Sequence, residues 1–500
     1  MNLRLPHLCA ALVLAISVVQ SPVLAQPASA SKGASAPVAS ASASASASDA
    51  ATTVGASASS VAPSQPAVVE PAVAASDAAS SEPTPVVTSA PHAVPMAQIS
   101  AGDTAWVSVS SVLVLMMSVP GLALFYAGMV RKKNILATMA QTLAVCGLVT
   151  VLWFAVGYSL AFMPGDDYLG TLSAVWLKSL VFDKGAGLVS VHHLAPTVPE
   201  SVFVMFQLTF AIITPALIAG AFAERMRFSA MLWFMGLWSI LVYVPVAHWV
   251  WEPTGWLARM GALDFAGGTV VHVNAGVAGL VCAWMLGHRM GFGQEPLMPA
   301  NLGYTMIGAS LLWVGWMGFN GGSAVAADGR AGLAILVTQL AAASAAMTWM
   351  AAEWMVRGTP TLLGLCSGVV AGLVAITPAS GFVSPGSAVI IGGIAGVACY
   401  WGATGLKRIL GVDDSLDVFG VHGIGGIVGA VLTGVFASPT IGGVEGNVQT
   451  QLVAVAVTLV YSALMTTLIL IVIGRVVGLR VSKQDERDGL DLSQHGERVE

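Results

Sequence analysis

Residues 264–287 read DFAGGTVVHVNAGVAGLVCAWMLG: one aspartate, then 23 residues without another charge, with a single histidine among small and apolar side chains. An apolar run of about 20 residues is what a helix needs to cross a bilayer core. A histidine sunk inside such a span costs free energy unless it meets a partner or faces a cavity. The partner is expected in a second stretch, 417–437, DVFGVHGIGGIVGAVLTGVFA. His272 is followed by Ala275, Gly276 and Gly279, and His422 by Gly425, Gly426 and Gly429. Small residues at these spacings form one stripe down a helix, along which two backbones can approach closely. The pattern predicts two helices crossing with their histidines face to face.

Outward from these two stretches the same pattern recurs. Eleven apolar blocks are expected near 104–128, 136–162, 199–222, 229–251, 264–287, 299–319, 332–356, 361–377, 386–406, 417–437 and 450–474; the eighth is short for a span. Basic residues test the count. The loops after helices 1, 3, 5, 7 and 9 hold Arg131, Lys132, Lys133, Arg225, Arg227, Arg289, Arg357, Lys407 and Arg408, against only Lys178, Lys184, Arg259 and Arg330 in the loops after helices 2, 4, 6, 8 and 10. The positive-inside rule puts the odd-numbered loops in the cytoplasm, with the mature N-terminus periplasmic and the tail from Arg475 cytoplasmic. The expected fold class is an all-α membrane protein of eleven transmembrane helices: an inverted five-plus-five repeat, plus a final helix. A repeat with an odd number of spans reverses its orientation in the membrane, which makes the interface between halves the expected substrate path.

Composition agrees. Of 500 residues 56% are hydrophobic and only 9% charged, against roughly 25% charged in soluble domains, so several water-soluble domains are excluded. The net charge of −5 gives no footing for nucleic acid. Five cysteines occur singly, without metal spacing or a disulfide framework. Residues 1–25 read as a secretory signal peptide, with Arg4 before an apolar core and a small-residue cleavage site at Val23 to Ala25, the competing reading being an uncleaved signal anchor. Residues 26–98, rich in Ala, Ser and Pro, read as a disordered periplasmic arm. Residues 99–475 form the membrane domain and 476–500 a cytoplasmic tail.

The pair His272 and His422 can offer one donor and one acceptor without permanent charge. That suits a small polar molecule or a proton; with no third ligand nearby, no metal is expected. Asp264 reads as the N-cap of helix five, about two turns above His272, and Asp417 reads as a similar cap before His422. Phe206 and Phe210, Trp249 and Trp251, and Phe319 with Ser323 gather toward the expected outer ends of helices three, four and six. They read either as an interfacial aromatic belt or as a vestibule whose ring faces attract a cation while Ser323 accepts a hydrogen bond.

At these residues the sequence resembles the ammonium transporter family (Amt, Mep and Rhesus proteins), over roughly 101–500. The resemblance is carried by GLALFY at 121–126, AERMRFS at 223–229, DFAGGTVVH at 264–272, GWMGFNGGS at 315–323 and DVFGVHG at 417–423. The tail adds GLRV at 478–481, GLD at 489–491 and SQHG at 493–496, as in bacterial members. The resemblance implies a homotrimer in the bacterial inner membrane, each protomer with its own pore, no cofactor, and ammonium or its analogue methylammonium as substrate. It implies that Phe210, Trp251 and Ser323 form the outer recruitment site with Phe206 at its edge. It further implies that Phe210 and Phe319 close the pore mouth, that His272 and His422 are the twin histidines, and that Asp264 is the supporting carboxylate. Ammonium would leave its proton in the vestibule, because a dry lumen cannot solvate a cation. Ammonia would pass, the proton would follow separately, and transport would be electrogenic. Potassium, with no proton to lose, would be refused.

Three other readings were open to the sequence: a Rhesus-like electroneutral conduit, a receptor signalling through its tail, and an intramembrane enzyme. Only about 25 residues follow Arg475, and no metalloprotease, nucleophile-elbow or phosphate-loop motif occurs, so no enzyme activity is expected. A PII-type nitrogen regulator is the expected partner at the cytoplasmic face, although KQDERD at 483–488 also reads as a plain solvated segment.

Overall fold

The computed structural model describes residues 89–499; the stretch read as a signal peptide and the arm up to residue 88 lie outside the described residues. Ten helices among these are long and apolar enough to cross a membrane. They are α1 (Ala101–Met129), α2 (Lys132–Phe162), α3 (Glu200–Phe222), α4 (Phe228–Arg259), α5 (Gly268–Leu286), α6 (Leu302–Gly322), α7 (Gly329–Arg357), α9 (Pro385–Leu410), α10 (Phe419–Phe436) and α11 (Val448–Val476), and the shorter apolar α8 (Leu362–Ile376) completes the set. The chain is a multi-pass membrane protein.

Six of these helices begin at a side chain that accepts a backbone N–H three residues on: Ser100, Asn301, Asp328, Thr361, Ser384 and Asn447. Such a cap satisfies one of the four N–H groups that every helix leaves open. The caps also fix where each span starts, which a continuous apolar run cannot do. Short α8 counts as a crossing. The Arg330 side chain at the start of α7 donates to the carbonyl of Gly381 after α8, 3.0 Å away, and Ser438 after α10 donates its N–H to the Phe382 carbonyl, 2.9 Å away. The turns after even-numbered helices therefore meet at one end of the bundle, as the charge distribution predicts.

At that end a small antiparallel sheet is built on β3 (Leu188–His192), which pairs with β1 (His92–Pro95), β2 (Phe182–Asp183) and β4 (Ala195–Pro199). The expected arm thus includes ordered residues at its end. Val94 of β1 is buried with Val189 and Val191, a contact that depends on a partner almost 100 residues away and leaves no local pattern.

The opposite end carries the odd-numbered turns and the tail. Arg131 and Arg289 both bond Glu224, Arg289 forks onto Asp413, and Arg225 donates to the Asp413 carbonyl and to Ser415. Burial opposes ionisation of Glu224, yet Arg289 and Arg131 hold its carboxyl below the usual range. The tail forms α12 (Lys483–Asp488) and α13 (Leu490–His495). It is no plain solvated segment: α12 opens on a capping box at Ser482 and Asp485, and Glu486 is buried, accepting from the N–H of Met290 at 2.6 Å and from Arg480 at 2.6 Å. Asp491 caps the start of α2 through the Ala137 N–H at 2.8 Å.

The halves interlock at α5 and α10. A methyl group added to Gly276 would stand 2.3 Å from the N and 2.4 Å from the Cα of Gly423; one added to Gly426 would stand 2.9 Å from the Gly268 carbonyl and the Val273 N. Gly276 lies four residues after His272 and meets the residue following His422, while Gly426 lies four after His422 and meets the residue following His272. The contact is reciprocal, as an inverted repeat requires. Helices α3 and α8 take matching places: Gly279 packs on Ala221 of α3, and Gly429 on Ala375 of α8.

Candidate functional site

Asp264 and Asp414 each stand eight residues before a histidine, and both are buried. The Asp264 carboxylate accepts the N–H groups of Gly267 (2.7 Å), Gly268 (2.6 Å), Thr269 (2.8 Å) and Val270 (3.1 Å), and the Thr269 hydroxyl (2.7 Å). Burial raises its carboxyl from the usual range, against these bonds. Its own carbonyl takes the indole N–H of Trp251 at 2.9 Å. One residue thereby starts α5 and fixes an aromatic ring at the sheet end.

At α10 the cap is Asp414, which accepts the Phe419 N–H at 2.8 Å. This corrects the expectation for Asp417. That residue has φ 57°, and its carboxylate is held by Lys407 Nζ at 2.7 Å, so it faces away from the helix start. Burial pushes the Asp414 carboxyl up to about 6. The equal spacing from Asp264 to His272 and from Asp414 to His422 was visible in the sequence; the adjacent DVFGVHG motif drew the reading to the nearer aspartate.

Both histidines lie in π-helical turns, Gly268–Val273 and Phe419–Gly423, local widenings that recur at functional sites. Their Nδ1 atoms are 3.3 Å apart, with ring centroids separated by 5.3 Å and planes tilted by 26°. One Nδ1 must carry a hydrogen and the other accept it. Both residues are buried, and His272 Nε2 has no partner among the described residues. Trp316 stacks on His272 at 5.4 Å with its indole N–H bonded to Thr377; nothing in the spacing of α6 singled it out.

Above His272 the aromatic column continues with Phe319 at 6.1 Å and then Phe210, 4.3 Å from Phe319. Phe210 meets Trp251 edge-on at 5.8 Å. Beyond this pair a cavity of about 170 Å³ opens, lined by Phe162, Leu194, Phe203, Gln207, Phe210, Trp251, Phe265, Ser323 and Val325. The Ser323 hydroxyl donates to the Phe319 carbonyl at 2.8 Å, which leaves its oxygen lone pairs to accept from a guest. Of the residues expected at the vestibule, Phe210, Trp251 and Ser323 line this cavity. Phe206 does not: it is fully buried behind Phe210 at 5.0 Å and packs on Gly322. Phe162, Phe203, Gln207 and Phe265 complete the wall without having been singled out, since their positions follow from the packing of α2, α3 and the α5 approach rather than from a motif.

Among the described residues one group of potential metal ligands stands close together, His192, His193 and Glu252. It does not fit a metal. His192 Nε2 is bonded to the Phe162 carbonyl and Nδ1 to the Leu194 N–H, so both of its ring nitrogens are already engaged. His193 pairs with Glu252 at 3.0 Å instead. The cysteines at 146, 282, 366 and 399 are free thiols, three of them buried.

Comparison with known proteins converges on one group. The model of the Ammonium Transporter Family matches residues 105–500. The chain is 47% identical over 407 residues to an ammonium transporter of Bacillus subtilis, covering 80% of this chain and 98% of that one. It is 49% identical over 410 residues to an ammonium transporter of Aquifex aeolicus, covering 81% and 94%. Among solved structures it resembles Mep2 of Saccharomyces cerevisiae with a TM-score of 0.71 at 37% identity, over 77% of this chain and 88% of that one.

Proposed function

The chain belongs to the ammonium transporter family, and from that premise we propose that it recruits ammonium at the cavity lined by Phe210, Trp251 and Ser323 and passes ammonia along the His272–His422 pair. The observation that carries this reading is the unbroken series of rings from Trp251 through Phe210 and Phe319 to His272 and His422. Ring faces attract a cation and Ser323 can accept one of its N–H bonds. Below Phe210 the surroundings are apolar, so an ion would lose its hydration with nothing to replace it. Ammonium, unlike potassium, can answer by giving up a proton. The neutral molecule then finds in the paired imidazoles a donor and an acceptor of its own kind. Phe210 and Phe319 act as the gate, and Asp264 supports the site by fixing Trp251 and the start of α5. The proton crosses separately, and net transport is electrogenic.

In this reading the sheet end is periplasmic and the tail end cytoplasmic, in the inner membrane of a bacterium, with residues 1–25 removed as a signal peptide and 26–98 exported. The protein works as a homotrimer, and its tail and odd-numbered turns present a face to a PII-type regulator. The deciding experiment uses proteoliposomes. Labelled methylammonium uptake is expected to be inhibited by ammonium and unaffected by potassium, and an ammonium pulse to give a current. Uptake that potassium competes away would overturn the mechanism; uptake without current would leave an electroneutral conduit in its place.

A further inference from the structure

Arg330, one of the four basic residues expected in the sheet-end loops, lies in the first turn of α7 and is not free in solution. Its guanidinium packs against two rings, 4.8 Å from the centroid of Phe265 and 5.0 Å from that of Phe382, with Nε donating to the Gly381 carbonyl at 3.0 Å. Phe382 meets Phe265 edge-on at 5.7 Å, and Gly381 packs so tightly on Phe265 that a methyl group there would stand 2.2 Å from the ring. Phe265 is thus immobilised, and it is a wall residue of the vestibule, whereas Arg330 is not. A fixed cation therefore packs on a ring that also lines the cavity in which another cation is to be received.

We propose that Arg330 sets the cation affinity of the vestibule. Its charge raises the ammonium concentration needed for half-maximal transport, by repelling the ion and by occupying one face of a ring that would otherwise attract it. The inference rests on the reading of this cavity as the recruitment site. Neighbouring charges offset this only in part: exposed Asp328, which caps α7 through the Ala331 N–H, interacts with the Arg330 charge, while Asp264 is engaged by the N–H groups of α5. A unit charge about 10 Å from the guest, in a medium between bulk water and a protein surface, changes local cation occupancy about two- to fourfold. Salt decides whether that is felt, because the screening length is about 30 Å at 0.01 M ionic strength and about 3 Å at 1 M.

The test is the half-saturation concentration for labelled methylammonium uptake in proteoliposomes, measured in sodium chloride at low and high ionic strength for Arg330→Met and Arg330→Lys. Arg330→Met is expected to lower it about two- to fourfold at low salt, with the difference closing at high salt. Arg330→Lys is expected to stay near the parent. The proposal is overturned if Arg330→Met leaves the value unchanged at low salt. It is also overturned if both variants shift it alike, or if the shift persists undiminished at high salt, since packing rather than charge would then be responsible. Ser323→Ala and Trp251→Leu separate the two claims. If they too leave half-saturation untouched, the recruitment site itself has been misplaced; if they shift it and Arg330→Met does not, only the role of Arg330 fails.

Discussion

Replacing Gly276 by alanine should damage this protein out of proportion to the one carbon added. The new methyl group would stand 2.3 and 2.4 Å from backbone atoms of Gly423, whereas carbon atoms settle at about 3.5–4.0 Å. No side chain can rotate aside, because both obstacles are main chain. Helices α5 and α10 would have to part by about 1 Å, and overpacking of this kind costs about 1–3 kcal/mol. The same displacement acts on the histidine pair one turn away. Its 3.3 Å contact is already long for a hydrogen bond, and a further 1 Å would abolish it; misplacement on this scale in a working site reduces rates on the order of tenfold to a hundredfold. Gly426→Ala, with its nearest contacts at 2.9 Å, should be milder. Gly147→Ala on α2, where nothing lies within 4 Å, should be neutral. Thermal unfolding in detergent and methylammonium uptake in proteoliposomes would rank the three. If Gly276→Ala unfolds with the parent and transports like Gly147→Ala, the interlock described here is wrong.

His272→Asp should change uptake or the discrimination against potassium, because a carboxylate replaces a neutral donor and acceptor; parental uptake and selectivity would remove the role given to the imidazole pair. Asp264→Ala should leave four backbone N–H groups and the Thr269 hydroxyl without their acceptor, costing about 2–4 kcal/mol, with lower expression and a loosened Trp251 whose fluorescence reports the change. For Asp414, with its carboxyl pushed up to about 6 from 3.8, the folded state holds a proton that the unfolded chain has released. This group therefore favours folding fully below about pH 4 and loses that contribution as pH rises through 6. Asp414→Asn, which can still cap α10, should gain stability relative to the parent as pH rises from 4 to 8; parallel unfolding curves would refute the assignment. Deleting residues 483–499 should untie the turns that Glu486 and Asp491 hold and weaken capture of a PII-type protein; a pull-down unchanged by the deletion would exclude the tail from that contact.

Much of this architecture could be read before any coordinates, for identifiable reasons. The spans announced themselves because bilayer thickness imposes a length, and the sidedness of basic residues carried the parity that short α8 left in doubt. The histidine crossing was legible because glycine beside a buried imidazole has few other uses. What escaped was set by contacts distant in sequence. Strand β1 is held by Val189 and Val191, Phe206 turned out to back Phe210 rather than line the cavity, and Phe162, Phe203 and Phe265 reach the vestibule from three separate helix approaches. Asp414 escaped for a different reason. Four residues of motif beside Asp417 outweighed an eight-residue spacing repeated at both crossings. Acidic KQDERD, solvated on composition, is folded because Glu486 finds the Met290 N–H and Arg480.

A carrier that works by rocking one half of its fold against the other needs a seam at mid-membrane that can part and reseal. Gly276 on Gly423 and Gly426 on Val273 close that seam with main chain on both sides, so opening it would mean breaking the molecule's keystone at every turnover. On the proposed mechanism the passage then opens by movement of side chains such as Phe210 and Phe319 and not by parting of α5 from α10.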